Sequence, residues 1–282
     1  MIKEAYQRFM KVISSIREEP SVPYLYIYAL CLVPPRLWNN LYPRMIRLPE
    51  GIKVHICDPA VLYSNMWDEL INKEYYRVPE YIASQGQIIF DVGAHIGLYC
   101  LRNAKRVGER GRVYAFEPNP IAYYYLLRNI SENSLYNIHA FPYALSDKNG
   151  YSNLFTPLEL NLGAASFFVE HIQKEALKKI RKFSVRTITL DNFVKNRTLQ
   201  KVDLMKIDVE GAEERVLLGG KQCLTRGIIR KLIIEVHEDI SPVRQITQTL
   251  NNFNFRIDLI LKLYNKKSII YAKHIQSNAR FP

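Results

Sequence analysis

The sequence predicts an α/β fold in which helices cover both faces of a mostly parallel sheet. Three observations lead to this prediction. From residue 87 onward, short apolar runs alternate with segments of helical periodicity, as in repeated strand–helix units. The runs are rich in β-branched residues and lack a polar face, which is typical of strands buried on both sides. The last two runs, 255–261 and 268–274, are joined by a short link and must therefore pair as an antiparallel hairpin.

Seven strands are predicted in this part of the chain, with helices between them. The first helix runs through Leu101 and Ala104, and the second runs through Tyr124 and Leu127. Strands and helices in this alternation form one sheet with a helix layer on each face. The predicted strands are 87–92, 112–117, 138–145, 202–209, 231–237, 255–261 and 268–274.

The first 80 residues differ in pattern from the rest of the chain. Two helices are predicted before residue 40, then a β-hairpin over 44–56 and a helix over about 64–83. No Gly/Ser-rich or Pro-rich linker divides the sequence. We therefore expect an N-terminal helical and hairpin extension, residues 1–80, that caps a main domain of residues 81–282.

The composition indicates a folded chain, since 48% of the 282 residues are hydrophobic and 23% are charged. It excludes disordered and fibrous proteins. The formal charge of +12 permits an acidic partner but does not require one. The four cysteines form no C-x-x-C pair, which argues against a zinc site and against a disulfide framework. No metal is predicted, and a cytoplasmic compartment fits best.

Residues 1–40 leave two interpretations open. Residues 1–20 have the pattern of an amphipathic helix rather than of a signal peptide. The longest apolar run, 22–34, has 13 residues, whereas a membrane span needs roughly 20. This segment is therefore predicted either to pack on the main domain or to make a peripheral contact with an apolar partner or a membrane surface.

A glycine turn follows the first predicted strand. In a sheet of this kind, the ligand lies beyond the carboxyl ends of the strands. Asp91 ends the strand, and Gly93 and Gly97 permit a tight turn close to a ligand. The third glycine of a dinucleotide-binding G-x-G-x-x-G turn is missing, so a cradle for a pyrophosphate is not predicted.

Polar residues also follow the next two strands. Glu117 lies 20 residues after Gly97, the interval at which a carboxylate meets both hydroxyls of a ribose. Asn119 can cap the helix that comes next. Ser146 and Asp147 follow the third strand and offer an acceptor for an exocyclic amine. Together these residues predict a site for an adenosine without phosphates.

Charged residues end the fourth and fifth predicted strands. Lys206 and Asp208 alternate with apolar residues in a strand expected to be buried, where charge is costly unless it is paired or solvated by a site. Glu210 follows them in the turn. The two-residue period of a strand places Glu235 and His237 on one face. We therefore predict a functional role for these five residues.

Taken together, these segments resemble the FkbM-type family of S-adenosylmethionine-dependent methyltransferases. The resemblance covers roughly residues 85–240, and its segments follow the family's order. They are DVGAHIG at 91–97, FEPNP at 116–120, ALSD at 144–147, KIDVEGAE at 206–213 and IIEVHE at 233–238. KIDVEGAE is the specific one, whereas each of the others alone would be a weak signal.

The resemblance implies a Rossmann-like class I methyltransferase fold, a seven-stranded sheet whose final strand is antiparallel, and S-adenosyl-L-methionine as the cofactor. It implies that the glycine turn surrounds the methionine part, Glu117 the ribose and Asp147 the adenine. The family usually has Asn where this chain has His95, which can still donate one hydrogen bond. The expected cofactor-binding residues are Asp91, Gly93, His95, Gly97, Glu117, Asn119, Ser146, Asp147 and Asp208.

The resemblance further suggests O-methylation of a hydroxyl on a sugar, a glycolipid or a small metabolite. Such a transfer needs alignment of the reactants and a base for the hydroxyl proton. His237 has the most suitable unperturbed pKa, whereas Glu235 and Asp208 could serve if desolvated. Lys206 could orient the acceptor. The candidate catalytic residues are Lys206, Asp208, Glu210, Glu235 and His237.

Two other functions stay open. Basic stretches at 171–186 and 251–282 leave an RNA methyltransferase as an alternative, although no RNA-binding module accompanies them. A non-catalytic module that keeps the nucleoside pocket and binds a partner through its N-terminal extension is the third hypothesis. Residues 161–183, which include Phe167 and Phe168, are predicted to close over the substrate as a lid. The sequence does not predict an oligomeric state.

Overall fold

The computed structural model of the chain describes residues 44–48, 50–57, 74–157, 166, 180–263 and 266–275. The two helices predicted before residue 40 lie outside the described residues, as do residues 64–73 of the next predicted helix and Phe167 and Phe168 of the predicted lid. None of the described helices is long and apolar enough to cross a membrane.

The described residues form twelve strands, six α-helices and two 3₁₀ turns. The strands are β1 (Met45–Arg47), β2 (Lys53–His55), β3 (Ile88–Val92), β4 (Arg112–Phe116), β5 (Ile138–Phe141), β6 (Tyr143–Leu145), β7 (Gly150–Pro157), β8 (Ile180–Ile188), β9 (Leu204–Ile207), β10 (Lys231–His237), β11 (Phe255–Lys262) and β12 (Lys267–His274). The helices are α1 (Leu98–Val107), α2 (Pro120–Glu132), α3 (Leu190–Asn196), α4 (Glu213–Gly219), α5 (Lys221–Thr225) and α6 (Val243–Asn252). The 3₁₀ turns are Glu74–Tyr76 and Pro79–Tyr81.

Seven strands form one sheet in the order β11-β12-β10-β9-β3-β4-β5. The five strands from β10 to β5 in this order run parallel, and β12 runs antiparallel to both β10 and β11. This arrangement confirms the predicted sheet with its antiparallel C-terminal hairpin, which is the class I methyltransferase fold. The chain order reverses at β3, so a crevice opens there beyond the carboxyl ends of the strands.

Alternate residues of the central strands enter two separate cores. Ile89 and Ile233 pack with residues of α1 and α2 on one face of the sheet. Phe90 and Ile234 pack with residues of α3, α4 and α6 on the other face. All four side chains are fully buried. The prediction that helices cover both faces is therefore confirmed, and the apolar character of the strands follows from this double burial.

The run predicted as one strand over 138–145 consists of two strands, β5 and β6. Pro142 separates them, because proline has no N–H to continue a ladder. β6 instead pairs in parallel with β8, and β7 pairs antiparallel with β8, in a second, three-stranded sheet. This second sheet was not predicted from the sequence. It carries the residues after β6 away from the edge of the main sheet.

The part of the N-terminal extension that the structure describes contains the predicted hairpin. β1 and β2 pair antiparallel, with Ile46 opposite Val54, which confirms it. The helix predicted over 64–83 is wrong for its described part. Two short 3₁₀ turns stand there, and Pro79 starts the second of them. A proline in the middle of the predicted helix removes a hydrogen bond and clashes with the preceding turn.

Two asparagines, Asn129 on α2 and Asn133 at its C-terminal cap, hold the hairpin by pairing with the backbone of β2. The side-chain amide of Asn133 accepts from the N–H of Lys53 at 2.8 Å and donates to the carbonyl of Lys53 at 2.6 Å. Asn129 accepts from the N–H of His55 at 2.7 Å and donates to its carbonyl at 3.3 Å. These contacts satisfy the edge of β2 much as a neighbouring strand would, and they join the hairpin to the main sheet's helix layer.

Candidate active site

The carboxyl ends of β3 and β9 bring oppositely charged residues side by side. Asp91 lies directly beside Lys206 in the register of the two strands. Asp91 is fully buried, and Nζ of Lys206 lies 3.5 Å from its Oδ1. The same ammonium group donates to the carbonyl of Gly93 at 3.1 Å and lies 3.3 Å from Oδ2 of Asp208. One buried cation therefore connects the glycine turn after β3 to the acidic turn after β9.

Backbone geometry at these two turns is unusual. Gly93 has a φ of +80° and Gly97 a φ of +100°, so the predicted need for glycine at both positions is met. His95 and Glu210 also adopt a positive φ, +52° and +50°, although each carries a side chain. Non-glycine residues in this conformation are uncommon, and they cluster at functional sites. Two of the six non-glycine residues with positive φ in the described residues therefore lie in the turns after β3 and β9.

Glu117 lies at the end of β4, where its carboxylate is 7% exposed. Its Oε2 accepts from the backbone N–H of His95 at 2.7 Å, and its Oε1 accepts from that of Asn119 at 2.8 Å. Burial nevertheless raises the pKa of Glu117 to about 7. Asn119 caps α2 by accepting from the N–H of Ile121 at 3.0 Å, as its position in the sequence predicts.

Ser146 and Asp147 stand apart from the charged residues described so far. The hydroxyl of Ser146 donates to Oδ1 of Asp147 at 3.0 Å, and Asp147 is exposed. The carbonyl of Ser146 packs on α4, where a Cβ at Gly219 would lie 2.0 Å from it. The structure thus places this pair at the end of β6, and its hydrogen bonds do not connect it to Glu117.

A tyrosine from the N-terminal extension joins the site. The hydroxyl of Tyr75 lies 2.5 Å from Oε2 of Glu235 and 3.1 Å from Oδ2 of Asp208. On the other side of Glu235, Nζ of Lys267 lies 2.6 Å from Oε1. Burial favours the neutral acid, but the charges of Lys267 and His237 outweigh it and lower the pKa of Glu235 to about 2.

Asp208 has the opposite electrostatic environment from Glu235. Burial and the neighbouring charge of Glu235 raise the pKa of Asp208, although Lys206 and Lys267 oppose this effect. The side chains of Asp208 and Glu210 are 24% and 21% exposed, whereas that of Glu235 is 6% exposed. Asp208 and Glu210 are therefore more exposed to solvent than Glu235.

His237 lies between carboxylates on both sides of its ring. Its Nδ1 is 2.7 Å from Oε1 of Glu213, and its Nε2 is 3.2 Å from Oε2 of Glu210 and 3.7 Å from Oε1 of Glu235. Burial disfavours the charged ring, but these carboxylates outweigh it and raise the pKa of His237 well above its usual value. The carboxylates around the ring therefore favour the protonated imidazole.

Sequence reasoning missed three residues of this site. Glu213 has the position expected for compensation of a helix dipole, yet it is fully buried and binds both His237 and the N–H of Gly211. Lys267 could have been found from strand pairing, since it lies opposite His237 in the β10–β12 register. Tyr75 gives no sequence signal, because it lies in a short turn 160 residues from Glu235.

Two buried side chains at this edge have hydrogen-bonding capacity that is not fully used. Asp91 is paired with Lys206 at 3.5 Å, but within the described residues neither of its oxygens, nor Nδ2 of Asn119, makes a hydrogen bond of normal geometry. Buried polar atoms of this kind are rare unless a ligand or water completes them. They fit a ligand with a cationic amine and hydroxyl groups, as S-adenosylmethionine has.

A metal site was also considered at this edge, because Asp208, Glu235 and His237 offer ligand atoms within 4.8 Å of one another. Lys206 and Lys267 already bind these carboxylates, so we assign no metal there.

A sequence model of the methyltransferase FkbM domain matches residues 91–257. A hexuronic acid methyltransferase, AglP of Haloferax volcanii, is 28% identical over 192 residues, which cover 68% of this chain and 72% of that protein. The 31-O-demethyl-FK506 methyltransferase FkbM of Streptomyces tacrolimicus is 24% identical over 235 residues, which cover 75% of this chain and 88% of that protein.

Among solved structures, a methyltransferase FkbM from Methylobacillus flagellatus aligns with a TM-score of 0.47 and 15% identity, and the match covers 75% of this chain and 53% of that one. The family match spans the glycine turn, the ends of β4 and β9 and the whole of β10, whereas Tyr75 and Lys267 lie outside the matched residues. This chain belongs to the FkbM-domain family and is an S-adenosylmethionine-dependent methyltransferase.

Proposed function

We propose that this methyltransferase transfers its methyl group to a hydroxyl oxygen of a sugar, a glycolipid or another small acceptor. The observation that carries the proposal is the carboxylate of Asp208. It is partly exposed at the carboxyl edge of the sheet, and its Oδ2 is paired with the ammonium group of Lys206. O-methylation requires a group that takes the hydroxyl proton, and in this proposal the exposed carboxylate of Asp208 faces the acceptor.

We assign the cofactor to the residues at the ends of β3, β4, β6 and β9. Asp91, Gly93, His95 and Gly97 would hold the methionine part, since the buried oxygens of Asp91 suit its ammonium group. Glu117 and Asn119 would bind the ribose hydroxyls. Ser146, Asp147 and the backbone of Asp208 would complete the pocket around the adenosine. When bound, S-adenosylmethionine supplies an electrophilic methyl group on a cationic sulfur.

Asp208 is the base in this proposal rather than His237 or Glu235. The ring of His237 stays protonated because Glu210 and Glu213 flank it, so it has no lone pair to offer near neutral pH. Glu235 has a pKa of about 2 and is a weak base. Burial and the charge of Glu235 raise the pKa of Asp208 above its ordinary value, which makes it the stronger base of the two carboxylates. Glu210 lies beside it and would bind a second acceptor hydroxyl.

Two further observations support a hydroxyl acceptor. One relative is named a hexuronic acid methyltransferase and another a 31-O-demethyl-FK506 methyltransferase, and the second name states transfer to oxygen. In addition, the Asn- or Asp-Pro-Pro-aromatic motif of many amino-directed enzymes of this fold is replaced here by Asp208-Val209-Glu210. A turn with two carboxylates suits hydrogen bonds to vicinal hydroxyls, since each carboxylate accepts several of them.

Calorimetry with S-adenosylmethionine, followed by release of S-adenosylhomocysteine in a panel of acceptors, tests the proposal. We expect wild-type binding, turnover with neutral or acidic sugars, and at least roughly tenfold weaker binding in Glu117→Ala. Glu109→Ala, which removes an exposed carboxylate at the far end of α1, is the matched control.

Three outcomes would contradict this proposal. Unchanged cofactor affinity in Glu117→Ala would remove the assigned ribose contact. Turnover on RNA alone, with a steep loss at high salt, would favour the RNA alternative. Cofactor binding without turnover on any acceptor would favour a non-catalytic module that binds a partner.

A further inference from the structure

The hydroxyl of Tyr75 lies between two carboxylates. It is 2.5 Å from Glu235 and 3.1 Å from Asp208, and Tyr75 as a whole is 4% exposed. Beyond the carboxylates, Lys267 pairs with Glu235 and Lys206 pairs with Asp208. The five side chains therefore form one continuous chain of donors and acceptors, with Tyr75 as its middle donor.

This arrangement fixes one oxygen of Asp208 and leaves the other open. Oδ2 is contacted by both Tyr75 and Lys206. Among the described residues, no hydrogen bond or ion pair involves Oδ1, and the side chain is 24% exposed. A carboxylate held through one oxygen presents the other in a defined direction, which is the geometry that a base for an incoming hydroxyl needs.

We propose that Tyr75 is a positioning residue for the methyl transfer, in which its hydroxyl bridges Asp208 and Glu235 and holds the Asp208 carboxylate with Oδ1 directed to the acceptor. This inference rests on the proposed function. In the step that it serves, the acceptor oxygen bonds to the methyl carbon, and the electron pair of the broken carbon–sulfur bond stays on sulfur. The acceptor O–H bond breaks, and its proton goes to Oδ1 of Asp208.

The ring of Tyr75 is held independently of its hydroxyl. It packs edge-on against Tyr99 with ring centroids 5.7 Å apart, and the ammonium of Lys206 lies 5.3 Å from the centroid of the Tyr75 ring. The hydroxyl of Tyr271 on β12 donates to the carbonyl of Glu74 and anchors the 3₁₀ turn. A phenylalanine at this position should therefore keep the ring in place and remove the bridge alone.

Loss of the bridge has a defined electrostatic consequence. The single hydroxyl proton of Tyr75 lies in the shorter contact, to Glu235, and reduces the negative charge that Glu235 presents to Asp208. Without the O–H group, that charge acts on Asp208 more strongly, which raises the pKa of Asp208. The charged and titratable groups that face Asp208 from the elements around it are Tyr75, Asp91, Lys206, Glu210, Glu235, His237 and Lys267.

The experiment compares Tyr75→Phe with Tyr81→Phe. Tyr81 lies in the neighbouring 3₁₀ turn, is equally buried, and donates to a carboxylate oxygen of Asp258 at 2.9 Å, so its variant loses the same group away from the site. In Tyr75→Phe we expect kcat to fall at least roughly tenfold while cofactor affinity changes by less than about twofold. We also expect the acidic limb of the rate profile to move up by roughly 0.5–1 pH unit.

A second readout does not require an acceptor. Carboxyl ¹³C NMR of aspartate-labelled protein, with Asp208→Asn for assignment, follows the titration of Asp208 directly. We expect its midpoint to rise in Tyr75→Phe and to stay unchanged in Tyr81→Phe. An unchanged midpoint and rate in Tyr75→Phe, or equal losses in the two variants, would overturn the role of Tyr75. A wild-type protein that turns over no acceptor would instead contradict the proposed function.

Discussion

The α-carbon of Gly93 lies against the carbonyl oxygen of Asp208. A Cβ at residue 93 would be 1.8 Å from this oxygen, well inside van der Waals contact. The turn after β3 and the turn after β9 therefore touch through their backbones, and no side chain fits between them. This contact sets the distance between the turn proposed to hold the methionine part of the cofactor and the residue proposed as the base.

Gly93→Ala should disrupt this contact. The substitution adds a backbone clash to the strain of a side chain at a φ of +80°. Gly86 is a matched control, since its φ is +78° but a Cβ there would have nothing within 4 Å. We expect Gly86→Ala to lower the free energy of unfolding by about 1 kcal/mol and Gly93→Ala to lower it by about 1–3 kcal/mol more.

Urea unfolding measures both glycine variants, and calorimetry measures cofactor binding. Only Gly93→Ala should also lose cofactor affinity. Equal stability losses in the two variants, together with normal cofactor binding in Gly93→Ala, would show that the contact between the two turns is needed neither for stability nor for binding.

Glu117 makes the stability of the ligand-free protein depend on pH. Burial raises its pKa to about 7 from a model-peptide value of 4.5, so the folded state binds more protons than the unfolded state between these values. The contribution of Glu117 to stability therefore falls as the pH rises through this interval. Glu117→Gln cannot titrate, so the variant should gain about 1–3 kcal/mol relative to wild type between pH 4.5 and pH 7.5.

Urea unfolding at pH 4.5, 6 and 7.5 without cofactor tests this difference. Glu109→Gln at an exposed position is the control, and its stability should follow that of wild type at each pH. If the Glu117→Gln curve ran parallel to wild type across the three values, the carboxyl of Glu117 would have an ordinary pKa.

Local spacing explains why much of the site could be predicted. Glu117 and Asp208 each follow the end of a strand. The end of an apolar run in the sequence locates such a turn without any information about distant parts of the chain. Once the strands are known to be parallel, their carboxyl ends must lie at one edge, so convergence of these residues follows from the fold.

Pairing across distant strands explains what the sequence did not predict. Lys267 reaches Glu235 because β12 inserts between β10 and β11, and periodicity alone does not determine that order. Tyr75 lies in a three-residue 3₁₀ turn, which is too short to show a hydrophobic periodicity in the sequence. The second sheet was missed for two reasons. The burial pattern of β8 alternates only in part, and its partner β6 was predicted as the end of the strand 138–145.

Asn129 should be the more important of the two asparagines that hold the hairpin. It is fully buried and contacts both backbone groups of His55 and the carbonyl of Ile96. Asn129→Ala leaves these groups without partners, which should lower the free energy of unfolding by about 2–3 kcal/mol. Asn251→Ala on the exposed side of α6 should change it by less than about 0.5 kcal/mol. Chemical denaturation measures both, and equal effects would refute a special role for Asn129.

His237 should remain charged at pH 7.5. Its folded-state pKa lies well above the usual 6.5, because Glu210 and Glu213 outweigh the effect of burial. Its stabilising contribution is therefore complete below pH 6.5 and is lost only as the pH rises through the folded-state value. Nitrogen-15 NMR should show both ring nitrogens protonated at pH 7.5. His139 provides the internal comparison, since burial lowers its pKa and its ring should be neutral at that pH.

Substitution gives a second measure of the same ion pair. His237→Gln leaves the fully buried carboxylate of Glu213 without its cation, which should cost about 3 kcal/mol of stability, whereas His139→Gln should cost less than about 1 kcal/mol. If the His237 ring were neutral at pH 7.5, His237 would again be a candidate for the base that takes the acceptor proton. A charged ring leaves the proton of the acceptor to Asp208, because His237 then has no site to receive it.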